Sequence, residues 1–207
     1  MIAIVDYKAG NLTSVKLAFE AIGAEAAITD RADEILKAER VVFPGVGAAG
    51  AAMRHIRELA LGDTLREVVR RGTPFLGICL GTQIILGFSE EDGGVETVGL
   101  VPGRVRLFRP TRHEDKVPQI GWNSVRLNRP HPLFAGIDDE SEFYFVHSYY
   151  PDPQNEADVL GTTEYAGVTF ASAIGRGNLV ATQFHPEKSG RIGLRLFENF
   201  SRWEGQC

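Results

Sequence analysis

Cys79 stands at the centre of the segment Gly77-Ile78-Cys79-Leu80-Gly81, a spacing typical of a nucleophile on a sharp turn between a strand and a helix. An apolar run, 74–76, precedes this segment and a helix-like run, 82–86, follows it. The flanking glycines leave room for a strained turn, and the positive end of a helix favours the reactive thiolate. The alternative is a small buried hydrophobic residue, the commoner role of a cysteine in an apolar run.

A thiol nucleophile needs a base and a third group that orients the base. His185 ends a predicted strand, 179–184, and is followed by Pro186 and Glu187. Because proline holds the residue before it extended, and residues two apart on an extended chain point the same way, Glu187 can reach the ring of His185. Cys79 also follows a strand, so the pattern predicts a nucleophile–base–acid triad at one sheet edge. The alternative is a strand-end histidine beside a solvated glutamate.

Acyl chemistry also needs N–H donors for an oxyanion. The amide of Leu80 is one candidate, and the glycine-rich segment 44–47 after a predicted strand supplies another. The overlapping segment 45–50 matches the G-x-G-x-x-G fingerprint of dinucleotide sites, which is a rival interpretation. That fingerprint requires a second strand ending in an acidic residue, whereas residues 61–71 have the apolar spacing of a helix.

Other polar and aromatic residues are less informative. Ser148, after the aromatic run 143–146, is predicted to pack at a strand end or to line a pocket. Trp122 is predicted to be a core anchor or an interface residue. Three histidines in charged, polar or proline-flanked segments are predicted to lie at the surface: His55, His113 and His131.

The elements around these residues alternate between strand and helix in the first half, which predicts βαβ units and a parallel sheet. Predicted strands there are 2–5, 26–29, 40–43 and 75–78, with helices at 11–22 and 61–71. The second half has turn-separated strands, so we expect antiparallel pairing: 101–108, 124–127, 142–148, 159–163, 170–174 and 179–184. A last helix, 190–203, begins after a predicted cap at Ser189. The fold class expected is α/β.

The composition bounds the class of protein. A net charge of −5 argues against a nucleic-acid binder, although a small anionic substrate remains compatible with the short basic clusters. No apolar stretch is long enough to span a bilayer, and the start lacks the features of a signal peptide. Two cysteines do not make a disulfide framework, and Cys207 is expected to fray, so we expect a cytoplasmic protein.

Two segments, 77–83 and 183–189, resemble the signature motifs of the class I, triad-type glutamine amidotransferases. Further segments resemble the glutaminase subunits of imidazole glycerol phosphate synthases: 5–7, 10–12, 44–47, 121–123, 144–149 and 161–165. The resemblance covers residues 2–203, and it implies one amidotransferase domain over 1–207 with a central, mostly parallel sheet flanked by helices. Two departures are Lys8-Ala9, in place of a Gly-Met type of pair, and Thr82, in place of Met.

The resemblance also implies roles for individual residues. Cys79 would be the nucleophile, His185 the base and Glu187 its orienter. The oxyanion hole would use the amides of Val46 and Leu80, with a flip of the Val46 peptide left open. The residues that hold glutamine would be Gly47, Gln83, Ser148 and Tyr149. The residues that face the partner synthase around the ammonia exit would be Asn11, Trp122, Tyr144 and Lys188.

The implied reaction is attack of the Cys79 thiolate on the glutamine carboxamide, proton delivery from His185 to ammonia, and hydrolysis of the thioester to glutamate. No metal or organic cofactor is expected. Free ammonia is mostly protonated near neutral pH and then a poor nucleophile, so a tight partner should receive it directly. In the resembling family this is a (β/α)8-barrel cyclase, in a heterodimer that makes imidazole glycerol phosphate and an aminoimidazole carboxamide ribotide in histidine biosynthesis.

Three alternatives remain open at this point. The first is that the chain is the glutaminase of another pathway, such as anthranilate, aminodeoxychorismate or pyridoxal phosphate synthesis. The second is a non-catalytic subunit that kept the fold, which the intact triad argues against. The third is a cysteine peptidase or hydrolase built on the same turn.

Overall fold

The computed structural model describes residues 1–8 and 10–206. Ala9, in the departing Lys8-Ala9 pair, and Cys207, expected to fray, lie outside the described residues. Within the described ranges no helix is both long and apolar enough to cross a bilayer.

One large mixed sheet organises the fold. Its strands are β1 Ile2–Val5, β2 Ala26–Thr29, β3 Arg40–Gly45, β4 Phe75–Cys79, β8 Gln119–Leu127, β9 Ser141–His147, β11 Val159–Tyr165, β12 Val168–Arg176 and β13 Leu179–Thr182. They lie in the order β2-β1-β3-β4-β13-β12-β11-β8-β9. Pairing is parallel from β2 to β13 and antiparallel from β13 to β9. This agrees with the division expected for the two halves of the chain except at β13, a second-half strand that also pairs parallel with β4.

A second, smaller sheet is built from β5 Phe88–Ser89, β6 Val95–Glu96, β7 Gly103–Leu107 and β10 Tyr149–Pro153. These strands lie in the order β10-β7-β5-β6. The sequence predicts only β7 among them. The strands β5 and β6 are two residues long, and β10 carries Pro151 and Pro153, which disfavour a strand prediction because proline cannot donate to a ladder.

Helices cover both faces of the parallel part of the large sheet: α1 Leu12–Ala21, α2 Ala32–Ile35, α3 Ala49–Glu58, α4 Leu61–Arg70, α5 Leu80–Ile84 and α6 Gly190–Arg202. Successive residues of β1 alternate between two cores, with Ile2 and Ile4 in one and Ala3 and Val5 in the other. The first core contains apolar residues of α1 and α6, and the second contains those of α3 and α4.

Two local predictions are wrong. His131 is buried rather than at the surface, because its proline-flanked turn packs against the C-terminal end of α6, where its ring contacts Trp203. Ser189 precedes α6 but its side chain does not cap the helix. Its hydroxyl instead donates to the carbonyl of His185 and accepts from the amide of Tyr144, so it ties β9 to the segment that carries His185.

The turn from β4 into α5 depends on Gly81. A Cβ atom at this position would lie 1.8 Å from the carbonyl oxygen of Phe43 in β3. Because the obstructing atom belongs to the backbone of a central strand, α5 can start directly after Cys79 only when residue 81 has no side chain.

Gly81→Ala should therefore lower the free energy of unfolding by about 3 kcal/mol or more, since the clash is with main chain and not with a movable side chain. Gly62→Ala is the matched control in α4, where the added Cβ would make only ordinary contacts. That substitution should stabilise the chain by about 0.5–1 kcal/mol. Urea denaturation of both variants measures the difference, and equal unfolding midpoints would refute the proposed role of Gly81.

Candidate active site

The backbone of Cys79 adopts an unusual conformation, with φ 52° and ψ −108°. A non-glycine residue at positive φ is strained by of order 1–3 kcal/mol, and such strain concentrates at functional sites. The register of β3 and β4 places Gly45 beside Cys79, and that of β4 and β13 places Thr182 beside Ile78. The glycine-rich segment after β3 and the histidine after β13 therefore reach the same point of the sheet edge as the thiol.

His185 and Glu187 form the contact that the sequence predicts. Nδ1 of His185 lies 2.6 Å from Oε1 of Glu187, and both side chains are buried. The backbone amide of His185 donates to the carbonyl of Tyr144 in β9, which fixes the position of the ring relative to the sheet. With Nδ1 engaged by the carboxylate, the second ring nitrogen, Nε2, is the atom left to act as the base; it has no hydrogen-bond partner within residues 1–8 and 10–206.

The electrostatics of the triad favour a charged histidine. Burial by itself lowers the pKa of His185, but the interactions with Cys79 and then with Glu187 outweigh it and raise that pKa to about 10. Opposite charges stabilise each other strongly in a water-poor environment. His185 is therefore an imidazolium ion at neutral pH, which makes it a proton donor suited to a leaving amine.

Asn11 connects the triad to the surface. Its side-chain amide donates to Oε1 of Glu187, the oxygen that also accepts from His185. Asn11 precedes α1 with φ 75° and makes no side-chain cap. The start of α1 thus helps to hold the residue that orients the base.

A cavity of about 480 Å³ opens above Cys79. Most of the residues predicted to act in catalysis or to bind substrate line it, together with two predicted for the partner surface: Asn11, Val46, Gly47, Cys79, Leu80, Gln83, Ser148, Tyr149, His185 and Lys188. Glu187 contacts the far side of the His185 ring and does not line the cavity. Gly47 has φ +101°, a conformation that favours glycine and allows the chain to turn over the thiol.

The cavity also holds two titratable side chains that the sequence does not single out. Glu91 lines it and accepts from the amide of Ala49 at the start of α3, and burial raises the pKa of this carboxyl group. The sequence does not predict a role for Glu91, because this residue lies in a short polar segment without a repeating pattern of apolar residues. His147 lines the cavity as well, and burial lowers its pKa to about 4, so its ring is neutral. The one sequence feature that points to His147 is its position at the end of an aromatic-rich strand.

Three of the four residues predicted to face a partner lie together: Trp122, Tyr144 and Lys188. Trp122 pairs across the strands with Tyr144, their rings 6.1 Å apart, and Nζ of Lys188 lies 5.9 Å from the Tyr144 ring centre. Trp122 is 55% exposed and Ile120 is 63% exposed, which rules out the core-anchor interpretation of Trp122. We call Ile120, Trp122, Tyr144 and Lys188 the Trp122 patch. It adjoins the cavity through Lys188.

Comparison with known proteins identifies the family of the chain. Residues 3–202 match the family described as Glutamine amidotransferase class-I. The chain is 47% identical to the imidazole glycerol phosphate synthase subunit HisH of Pseudomonas syringae pv. syringae, over 99% of this chain and 98% of that protein. It is 53% identical to the subunit HisH of Desulfovibrio desulfuricans, over 97% and 93%. The solved structure of PurLQS from Thermotoga maritima contains a chain of the same fold, with a TM-score of 0.73, 16% identity, and coverage of 96% of both chains.

The raised pKa of His185 predicts a pH dependence. Since the folded-state value of about 10 lies above the ordinary 6.5, the interaction stabilises the fold fully below about pH 6.5 and is lost as the pH rises through about 10. Glu187→Gln removes the charge that contacts Nδ1, so it should lower the ring's titration midpoint. NMR titration of the ring, assigned by comparison with His185→Asn, measures the midpoint in both proteins, and urea denaturation at pH 6, 8 and 10 measures the stability. A midpoint that the Glu187→Gln substitution leaves unchanged would contradict the role of the carboxylate.

Proposed function

The chain belongs to the class-I glutamine amidotransferases and, within them, to the HisH subunits of imidazole glycerol phosphate synthase, and on that premise we propose that Cys79, His185 and Glu187 carry out glutamine hydrolysis. The observation that carries the proposal is the 2.6 Å contact between the buried His185 and Glu187 side chains at a cavity that Cys79 also lines. A nucleophile, a base and an orienting acid are the set that amide hydrolysis through a thioester needs.

In the proposed reaction the Cys79 thiolate attacks the side-chain carbonyl carbon of glutamine and forms a tetrahedral intermediate. The imidazolium of His185 gives its proton to the nitrogen as the C–N bond breaks, so ammonia leaves and a glutamyl thioester remains. Neutral His185 then takes a proton from water, which attacks the thioester and releases glutamate. Glu187 holds the ring in one tautomer and stabilises its charged form through both steps.

The amides of Val46 and Leu80 are the proposed donors to the oxyanion. Both residues line the cavity together with Cys79. The amide of Leu80 lies at the start of α5, where the partial positive charge of a helix favours an anion. Val46 precedes Gly47, whose positive φ allows the segment to turn its peptide toward or away from the cavity.

The cavity suits a free amino acid. The carboxylate of Glu91 gives it an anionic group for an ammonium ion, and Gly47, Ser148 and Tyr149 are the proposed contacts for the rest of the substrate. Both side-chain N–H groups of Gln83 are engaged, one by the carbonyl of Tyr149 and one by Gln183, so its Oε1 remains as an acceptor toward the substrate.

We infer that the Trp122 patch binds a cyclase subunit of (β/α)8-barrel form and that ammonia passes to it directly. The relatives are named as subunits of a synthase, and the patch combines exposed apolar residues with a cation next to the cavity. Exposed tryptophan and tyrosine side chains are typical centres of protein–protein binding. A cytoplasmic heterodimer in histidine biosynthesis follows from this proposal.

Cys79→Ala should abolish hydrolysis of glutamine because the attacking sulfur is gone. The complex with the cyclase should still make imidazole glycerol phosphate when ammonium salt replaces glutamine, since the variant leaves the partner's chemistry intact. Steady-state assays with each nitrogen source measure this. Loss of synthesis with both sources would contradict a role for Cys79 that is confined to releasing ammonia.

The isolated chain should hydrolyse glutamine slowly, and the cyclase with its ligand bound should accelerate it strongly. We propose that the segment around Val46, next to the positive φ of Gly47, holds its oxyanion donor away from the cavity until a partner occupies the neighbouring surface. Glutaminase assays with and without the liganded cyclase measure the acceleration. Full turnover by the chain alone would refute it.

Trp122→Ala should weaken binding of the cyclase by about 30-fold, the effect of losing roughly 2 kcal/mol at a central aromatic contact. Ile28→Ala is the matched control: Ile28 is also partly exposed, but it lies in β2, at the opposite edge of the large sheet. Titration calorimetry with the cyclase measures both affinities. Equal affinities for the two variants would place the interface elsewhere.

A further inference from the structure

Gln183 contacts the sulfur of the proposed nucleophile although it is not a member of the triad. It lies between the end of β13 and His185, and it is fully buried. Its backbone amide donates to the carbonyl of Ser172 in β12, which anchors the residue independently of its side chain. Its side-chain Nε2 lies 3.7 Å from Sγ of Cys79.

The orientation of the Gln183 amide follows from a chain of hydrogen bonds. The carbonyl of Tyr149 can only accept, so the group of Gln83 that lies 2.8 Å from it is the NH2 group. The same Nε2 of Gln83 lies 3.0 Å from the side chain of Gln183, which must therefore present its oxygen there. The NH2 group of Gln183 is consequently the end that faces Cys79.

We propose that Gln183 is a hydrogen-bond donor that stabilises the thiolate of Cys79, and that Gln83 holds it in that orientation. The proposal deepens the glutaminase function proposed above and rests on Cys79 being the nucleophile. The hydrogen bond from Gln83 to Gln183 also connects the cavity to the sulfur of Cys79, because Gln83 lines the cavity.

The surroundings of the sulfur show why such a donor matters. Sγ also lies 3.9 Å from the carbonyl of Val146, which can accept from a thiol but opposes a thiolate. Two titratable side chains interact with the thiol: Tyr7, whose charge is coupled to that of Cys79, and His185, which is itself coupled to Glu187 and His147. Glu91 and Lys188 line the same cavity. His185 supplies the positive charge, and Gln183 supplies a neutral donor that remains in place when His185 gives up its proton.

The test is the pH dependence of alkylation of Cys79 by iodoacetamide in the full chain, quantified on the Cys79 peptide by mass spectrometry so that Cys207 does not contribute. Gln183→Glu has nearly the same shape and keeps an oxygen for Gln83, but it has no N–H for the sulfur. Its alkylation rate at pH 7 should fall about tenfold to a hundredfold, the effect expected for a hydrogen bond to a charged group, with the profile moving to higher pH. The kcat for glutamine should fall with it, while KM stays within about threefold.

Gln183→Met loses both contacts, so the same change in alkylation should be accompanied by a higher KM, because one side-chain N–H of Gln83 then has no acceptor and only its bond to the carbonyl of Tyr149 holds the residue. Thr82→Val is the matched control. It removes a buried hydrogen bond of 2.6 Å from the Thr82 hydroxyl to the carbonyl of Thr182, one residue from Gln183, and should leave the alkylation profile of Cys79 unchanged.

A measurement without any substitution at Gln183 completes the test. In the unsubstituted chain the side-chain amide resonances of Gln183 should shift with the same pH midpoint as alkylation. Wild-type alkylation profiles in the folded Gln183 variants, or amide resonances that do not follow the titration, would overturn the proposal. If Cys79→Ala at the same time abolishes hydrolysis, only this inference fails and the proposed function stands; retained hydrolysis would instead remove the proposed function itself.

Discussion

The strained backbone of Cys79 is the constraint on which the rest of the structure depends. It is held because β4 pairs with β3 on one side and with β13 on the other, so the chain cannot relax at the point where it leaves the sheet. The same pairing brings the segment after β3 and the segment after β13 to the thiol. A strain of order 1–3 kcal/mol at one residue is small beside the apolar burial on both faces of the sheet.

Two series of hydrogen bonds extend from the residues that meet at this point. One runs from His185 to Glu187 and on to Asn11 at the start of α1. The other runs from Cys79 through Gln183 and Gln83 to the backbone of Tyr149. The first leads toward the proposed partner surface and the second toward the proposed substrate contacts, so binding on either side can act on the geometry of the nucleophile.

The parts of this site that the sequence predicts are those set by local rules. Glycine spacing indicates the turn at Cys79, and Pro186 makes the contact between His185 and Glu187 predictable over two residues. The sequence does not predict that Glu91 lines the site or that Gln183 contacts the sulfur, because their partners lie far along the chain and no periodicity marks them. The surface prediction for His131 fails for the same reason: packing against Trp203 overrides its proline-rich surroundings.

The most direct test of the account is detection of the glutamyl thioester on Cys79. Rapid acid quenching of the chain bound to its cyclase during glutamine turnover, followed by peptide mass spectrometry, should show a glutamyl adduct on the Cys79 peptide that disappears when glutamine is exhausted. Steady release of glutamate with no adduct on that peptide at any time, or an adduct on another residue, would contradict covalent catalysis by Cys79.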